Sequence, residues 1–365
     1  MIRALFKISN LAAILFTAGL LYACVKDKKI TLTHGPYKKI AVPKTLAMDN
    51  GGNFYFVNQG DCTVIKASPS GTITKIAGTD TILGCSGDGG PATSAHLSFD
   101  NICDGIVLDK LGNVFFSDDG CSLIHEINGV TGTMTLIAGN GSYGYGGDGG
   151  QATIASLFDP GGMAMDTAGN VYFTDKSNYR VRKITKATGI ITTVAGNGSQ
   201  KDSGDAGPAT SAAILDPIGV TVDDSNNLYV ASYYKIRKVY ASNGKIVTIA
   251  GTSKTKFNGD GIFAWGANIM PATIVLDASK NIYFTDCGNF RVRRIDNSTG
   301  IITTVAGNGA IGYGGDGGLA TNATMNTPIG LAIDASGNLY FTDSGNNCIR
   351  KITVSTGIIT TVVHN

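Results

Sequence analysis

Five aspartates recur in one local phrase, Gly-Asp-Gly or Gly-Asp-Ala: Asp88, Asp148, Asp205, Asp260 and Asp316. A carboxylate among glycine backbone oxygens is a donor set that hard cations such as calcium accept. Against calcium stands the spacing, because glycine- and aspartate-rich calcium β-helices repeat every nine residues or so. Here the phrase recurs once per long unit and is followed by short helical segments, Pro91–Ala95 and Pro208–Ala212. The expectation is therefore that each Asp caps the helix after it. A second recurring set pairs Asp with Arg seven residues on: Asp175 with Arg182, Asp286 with Arg293 and Asp343 with Arg350. These could form a charged ring for a ligand, but structural pairs knitting strands or adjacent units fit the repetition better. Acid–base chemistry is sparse. There is one glutamate, Glu126, and of four histidines only His96 and His125 lie away from the ends, where His34 and His364 sit. Neither H-E-x-x-H nor G-x-S-x-G occurs. Two G-x-G-x-x-G matches (Gly139, Gly141, Gly144 and Gly307, Gly309, Gly312) lack the βαβ context a dinucleotide needs. No metal, catalytic residue or cofactor is assigned.

The elements that carry these residues come from a larger repeat. Six copies of Asn-apolar-aromatic-apolar begin at Asn53, Asn113, Asn170, Asn227, Asn281 and Asn338, a step of 57 residues or within three of it. A fixed period of this size means a repeat architecture. In the third copy, four short runs read as strands a to d: residues 161–166, 171–175, 180–184 and 190–196. Each is rich in β-branched or aromatic residues and bounded by Gly, Asn or Asp. Run b is apolar throughout and predicts burial on both faces. Run c alternates and predicts one face toward solvent. Six four-stranded antiparallel sheets around an axis make an all-β, six-bladed β-propeller. A strand exchanged across the seam is not required, although residues 37–42 could add an edge strand there.

The phrase D-x-x-G-N-[apolar]-Y-[FV]-T-D-x-x-N-x-R-V-R-K-I, followed by T-G-I-I-T-T-V-A-G, resembles the NHL repeat over residues 44–363. The inter-repeat phrase G-N-G-x-x-G-Y-G-G-D-G-G resembles a long-loop subtype found in bacterial extracellular proteins and teneurin-like propellers. Blades 3, 5 and 6 fit best. Blade 1 departs at strand c (Thr63–Lys66), blade 2 has His125 in place of the arginine, and blade 4 has Ser232 in place of the Asp. Propeller lactonases place a Glu among oxygen ligands on the axis, and the related lyases rely on axial histidines. The resemblance does not extend to either set.

The chain starts like a secretory signal, with Arg3 and Lys7 before an apolar run from Leu11 to Leu20. Leu21-Tyr22-Ala23-Cys24 resembles a bacterial lipobox. The expected organisation is a lipoprotein signal (1–23), a polar tether (24–43) and the propeller (44–365), with the membrane met through a lipid on Cys24. The net charge of +2 argues against nucleic acid.

Turns a–b and c–d are tight and lie on one face. Turns b–c and the d–a connections of about 20 residues lie on the other, and connections of this length are usually functional or disordered. They carry Tyr143, Tyr145, Phe263, Trp265 and Tyr313. The cysteines after Cys24 map there too, and the expected disulfides are Cys85–Cys103, Cys62–Cys121 and Cys287–Cys348. The functional expectation is a monomeric, non-catalytic binding module of the bacterial cell envelope, with a protein or glycan partner on the long-loop face. The rivals are a metal-assisted lactonase or lyase at the central channel, and a purely structural envelope protein.

Overall fold

A computed structural model describes residues 40–79, 82–100 and 104–364. Six antiparallel sheets follow one another along the chain, each with its strands in the order a-b-c-d. In blade 3 they are Pro160–Met165, Val171–Asp175, Arg180–Thr185 and Ile190–Ala195. The hydrophobic core is divided among the contacts between blades. Tyr55, Val57 and Val64 of blade 1, for example, pack with Val114 and Phe116 of blade 2. The last aromatic of the phrase (Phe56, Phe116, Phe173, Phe284 and Phe341) is fully buried, which accounts for the all-apolar strand b.

The asparagine that opens each phrase joins two turns. In blade 3, Asn170 donates from Nδ2 to Asp166 (2.7 Å), and its Oδ1 accepts from the Lys186 N–H (3.0 Å). The a–b and c–d turns are thus tied through one side chain. Asp166 also accepts from the backbone of Ala168 and Asn170 and from the Tyr172 hydroxyl. The same wiring recurs at Asn113, Asn227, Asn281 and Asn338. Short polar side chains that satisfy turn amides are what Asn and Asp do best.

Strand a lines the axis, and glycine permits its packing. A Cβ on Gly162 would sit 2.4 Å from the Ile218 carbonyl oxygen, and one on Gly219 would sit 2.2 Å from that of Ala272. Strands from successive blades approach at these points without a side chain between them.

The d–a connections do not stay on one face. After leaving the b–c side, each runs down the outer rim of the next blade and pairs with its edge strand d. The Ala152 N–H donates to Gly189 and the Ala320 N–H to Gly357, both in c–d turns. In blade 5 this pairing forms a two-residue strand, Ile262–Phe263, against the start of strand d. Every blade from 2 to 6 therefore has its outer edge covered, which removes an open pairing template.

Closure between blades 6 and 1 uses no exchanged strand, as the sequence allowed. The end of the expected tether belongs to the body instead. Ile40 is fully buried between blades 1 and 6. The Val42 N–H donates to Asn347 of blade 6 (2.7 Å), and the Val42 carbonyl accepts from Gln59 of blade 1. Thr342 and Ser344 of blade 6 donate to the carbonyls of Lys44 and Pro43. Residues 40–43 form a clasp between the two blades; residues 37–39, the start of the segment that could add an edge strand, and Cys24 lie outside the described residues.

Replacing Asn170 with Ala leaves polar groups of two turns without their partner. An N170A variant is expected to lose about 1–3 kcal/mol, read as a lower urea midpoint at unchanged m-value.

Candidate functional site

Strand c of blade 3 carries the partly exposed Arg180 and, two residues on, the fully buried Arg182. A guanidinium with no solvent must be paired on the protein. Arg182 reaches Asp175 of strand b (3.2 Å) and Asp148 of the incoming connection (2.7 Å), and also donates to the carbonyls of Gly146 and Ser156. Arg293 joins Asp286 and Asp260, and Arg350 joins Asp343 and Asp316, in the same way. The Asp–Arg pairs join strands b and c, and their reach is wider. The arginine fastens the connection to the blade.

This geometry corrects the capping expectation. The short 3-10 helices begin after Pro91, Gln151 and Pro208, with no side-chain cap. Asp148 instead accepts from Arg182, the Thr193 N–H and the Tyr145 hydroxyl. The two carboxylates around one guanidinium titrate differently. Burial lifts Asp175 to about 6, despite bonds from Phe158 and Asn178 and the Arg182 charge. At Asp148, burial is outweighed by Thr193, Tyr145 and Arg182, and its carboxyl is held below the usual range.

The aromatic candidates separate into two groups. Tyr145 lies on Arg180, with 3.6 Å from guanidinium carbon to ring centroid, and near Arg182. Tyr313 lies over Arg350 and reaches Thr361. Tyr143 packs on Phe158 and donates to the Gly120 carbonyl in a b–c turn. These three are on the b–c side. Phe263 and Trp265 lie at the opposite end, beside the c–d turn of blade 5, where the Ala264 N–H donates to Gly300. The single expected face is thus two places, because the connections cross the rim. Phe257 is the residue that sequence reading missed. It lies on Arg291 at 3.8 Å, and the spacing to Asp260 was its signal, since Tyr145 and Tyr313 also stand three residues before their Asp.

Phe263 and Trp265 are stacked, with centroids 5.9 Å apart and planes at 14°. They are 52% and 66% exposed. With Asn258, Gly261, Ile262, Gly266 and Ile301 they line an open pocket of about 420 Å³ that has no charged side chain. The axial cavity, about 290 Å³, is lined mainly by apolar strand-a residues, and its one carboxylate among the described residues is Asp104. Glu126 lies on strand c of blade 2, cross-strand from Phe115 and Thr135, and does not line that cavity.

The expected disulfides are replaced by another. Cys85 of the connection into blade 2 is bonded to Cys121 in that blade's b–c turn. The connection runs over the blade it enters, so Cys85 meets that blade's turn, and this precludes both Cys85–Cys103 and Cys62–Cys121. Neither Cys287 nor Cys348 is in a disulfide among the described residues. They hold different places in the repeat, Cys287 in the b–c helix and Cys348 opening strand c, so neighbouring blades do not bring them together. Cys103 lies outside the described residues. Burial pushes the Cys62 and Cys348 thiols up to about 11 and about 12, which makes them poor nucleophiles.

The model of the Teneurin NHL domain matches residues 141–203 and 312–365. The chain is a six-bladed propeller of NHL-like repeats. Human Teneurin-1 is 27% identical over 351 residues, covering 86% of this chain and 12% of Teneurin-1. Protein SUPPRESSOR OF QUENCHING 1, chloroplastic, of Arabidopsis thaliana is 26% identical over 263 residues, covering 68% of this chain and 24% of that protein. The chain thus spans a quarter or less of these relatives. A structural genomics protein of unknown function from Bacteroides thetaiotaomicron superposes with a TM-score of 0.61 at 17% identity, covering 87% of this chain and 70% of that one. That likeness is one of fold.

Replacing Arg182 with Met leaves Asp175 buried without its cation. R182M is expected to cost about 3–5 kcal/mol near neutral pH. Asp175 is raised when folded, so the stability it contributes is present below its unfolded value and lost as pH rises through about 6. The R182M deficit should therefore shrink at about pH 4.5, where Asp175 is protonated, as checked by urea unfolding at both pH values.

Proposed function

We propose that the propeller is a non-catalytic binding module of the cell envelope, held to a membrane by a lipid on Cys24. Its partner is a protein or a glycan, met by aromatic side chains displayed on the d–a connections. The observation that carries this reading is the Phe263–Trp265 pair. Ala264 between them is buried and does the anchoring, as Ala92, Ala152, Ala209 and Ala320 do in the other connections. The flanking positions there are Pro91 and Thr93, Gln151 and Thr153, Pro208 and Thr210, and Leu319 and Thr321. The fold is thus built five times, and only once are both flanks aromatic. Trp265 is the only tryptophan in the chain. A flat, rigid, exposed aromatic pair offers contact area at low entropic cost, and its uncharged surroundings suit a neutral ligand surface.

The test uses the chain from Cys24 onward, probed on a glycan array and against fractionated envelope extract. F263A/W265A is expected to lower retention of the captured ligand at least tenfold, the scale of a central interface residue. Its unfolding midpoint should stay close to that of the unmodified chain, because both side chains face solvent. Undiminished retention by F263A/W265A would place recognition elsewhere on the surface.

A further inference from the structure

Blade 2 fastens its connection differently from blades 3 to 6. Those four place Arg182, Arg237, Arg293 or Arg350 at the centre of strand c, at most 1% exposed, against the Asp of the incoming connection. Blade 2 has His125 there, equally buried. Its Nδ1 lies 3.0 Å from Asp88 of the connection, and its Nε2 lies 3.9 Å from Oδ2 of Asp118 on strand b. Neither Nε2 nor that oxygen has a hydrogen-bond partner.

Arginine keeps its charge at any pH a protein meets, whereas histidine changes charge between about pH 5 and 8. When Nδ1–H donates to Asp88 in the neutral ring, Nε2 turns a lone pair toward a carboxylate. A proton on Nε2 converts that contact into an attraction and recreates the two-carboxylate bridge the arginines make. The surroundings are acidic. Asp118 also accepts from the Ser98 N–H (3.0 Å), and Asp119 accepts from the Asp100 N–H (3.0 Å). Burial, then the charges of Asp119 and Asp100, lift the Asp118 carboxyl well above its usual range. The Cys62 thiol lies close enough to feel Asp118, Asp100 and Asp119, and the Phe116 ring lies 5.4 Å from the imidazole.

The same connection carries the Cys85–Cys121 bond. Cys85 stands three residues before Asp88, where Tyr145, Phe257 and Tyr313 stand before their Asp. A covalent bond therefore occupies the position at which blades 3 and 5 lay an aromatic ring on the first arginine of strand c.

We propose that His125, Asp118 and Asp88 form a proton-dependent latch that fastens the connection entering blade 2, with the Cys85–Cys121 disulfide holding the same segment when the latch is deprotonated. A proton bound on the His125–Asp118 pair tightens the latch, so hold on the connection is strongest in acid and weakens as pH rises toward neutral and above.

Amide hydrogen exchange at Ser86–Asp88, expressed as protection factors so that the intrinsic pH dependence is divided out, tests this. In C85S/C121S, protection is expected to fall at least tenfold between about pH 5 and about pH 8, the range over which histidine titrates. Adding H125R should leave it level. Equal protection at both pH values in C85S/C121S, or a pH dependence that survives H125R, overturns the latch. Should C85S/C121S fail to fold, the imidazole resonances of His125 in the unmodified chain decide. A titration within that range supports the latch, and flat resonances throughout it refute it.

Discussion

A guanidinium taken fully out of water is the constraint on which the rim of this propeller depends. Arg182, Arg293 and Arg350 cannot be buried without acceptors on more than one side, and the acceptors come from two chain segments. Strand b provides one carboxylate, the preceding connection provides the other, and backbone carbonyls complete the set. The connection is thereby pinned to the blade it enters, and its descent along the edge strand follows. The buried ion pair is a weak source of net stability. Its worth is in fixing where about twenty residues of irregular backbone must lie.

The inner half of each blade depends on a quieter device. Asn170 and its counterparts join the a–b and c–d turns, so both hairpins of a blade share one register. Strand a then lies at a fixed depth along the axis, and glycine at positions such as 162 and 219 lets neighbouring blades close on it. The axial cavity that results is lined mainly by backbone and apolar side chains. Display of chemistry is left to the outer segments, where the repeat tolerates Phe263 and Trp265 without disturbing Ala264.

The fold was legible in the sequence because its causes are local. Six all-apolar b strands, turn residues at fixed offsets and a constant period define sheets, order and blade number without any long-range information. The course of the connections was not. Gly-Asp-Gly followed by a short helix reads as a cap, and only the buried arginine 34 residues on shows why Asp148 turns the other way. Once the connections were expected on one face, Phe263 and Trp265 were grouped with Tyr143, and Cys62 with Cys121. The aromatic grouping failed because a face assignment cannot reveal a segment that crosses the rim, and the cysteine pairing because the connection first runs over the b–c turn of the blade it enters, which brings Cys85 to Cys121. Phe257 escaped notice because its connection has lost the surrounding glycines, although its distance from Asp260 is kept.

The clasp at residues 40–43 gives the ring a mechanical character. Ile40, Val42 and Pro43 are bonded or packed to blade 1 on one side and blade 6 on the other, and Val42 is held in a left-handed backbone conformation (φ 53°) that a β-branched residue adopts only under restraint. A pull on the chain ahead of Ile40 is therefore loaded into two blades at once. The seam is the joint through which this load passes.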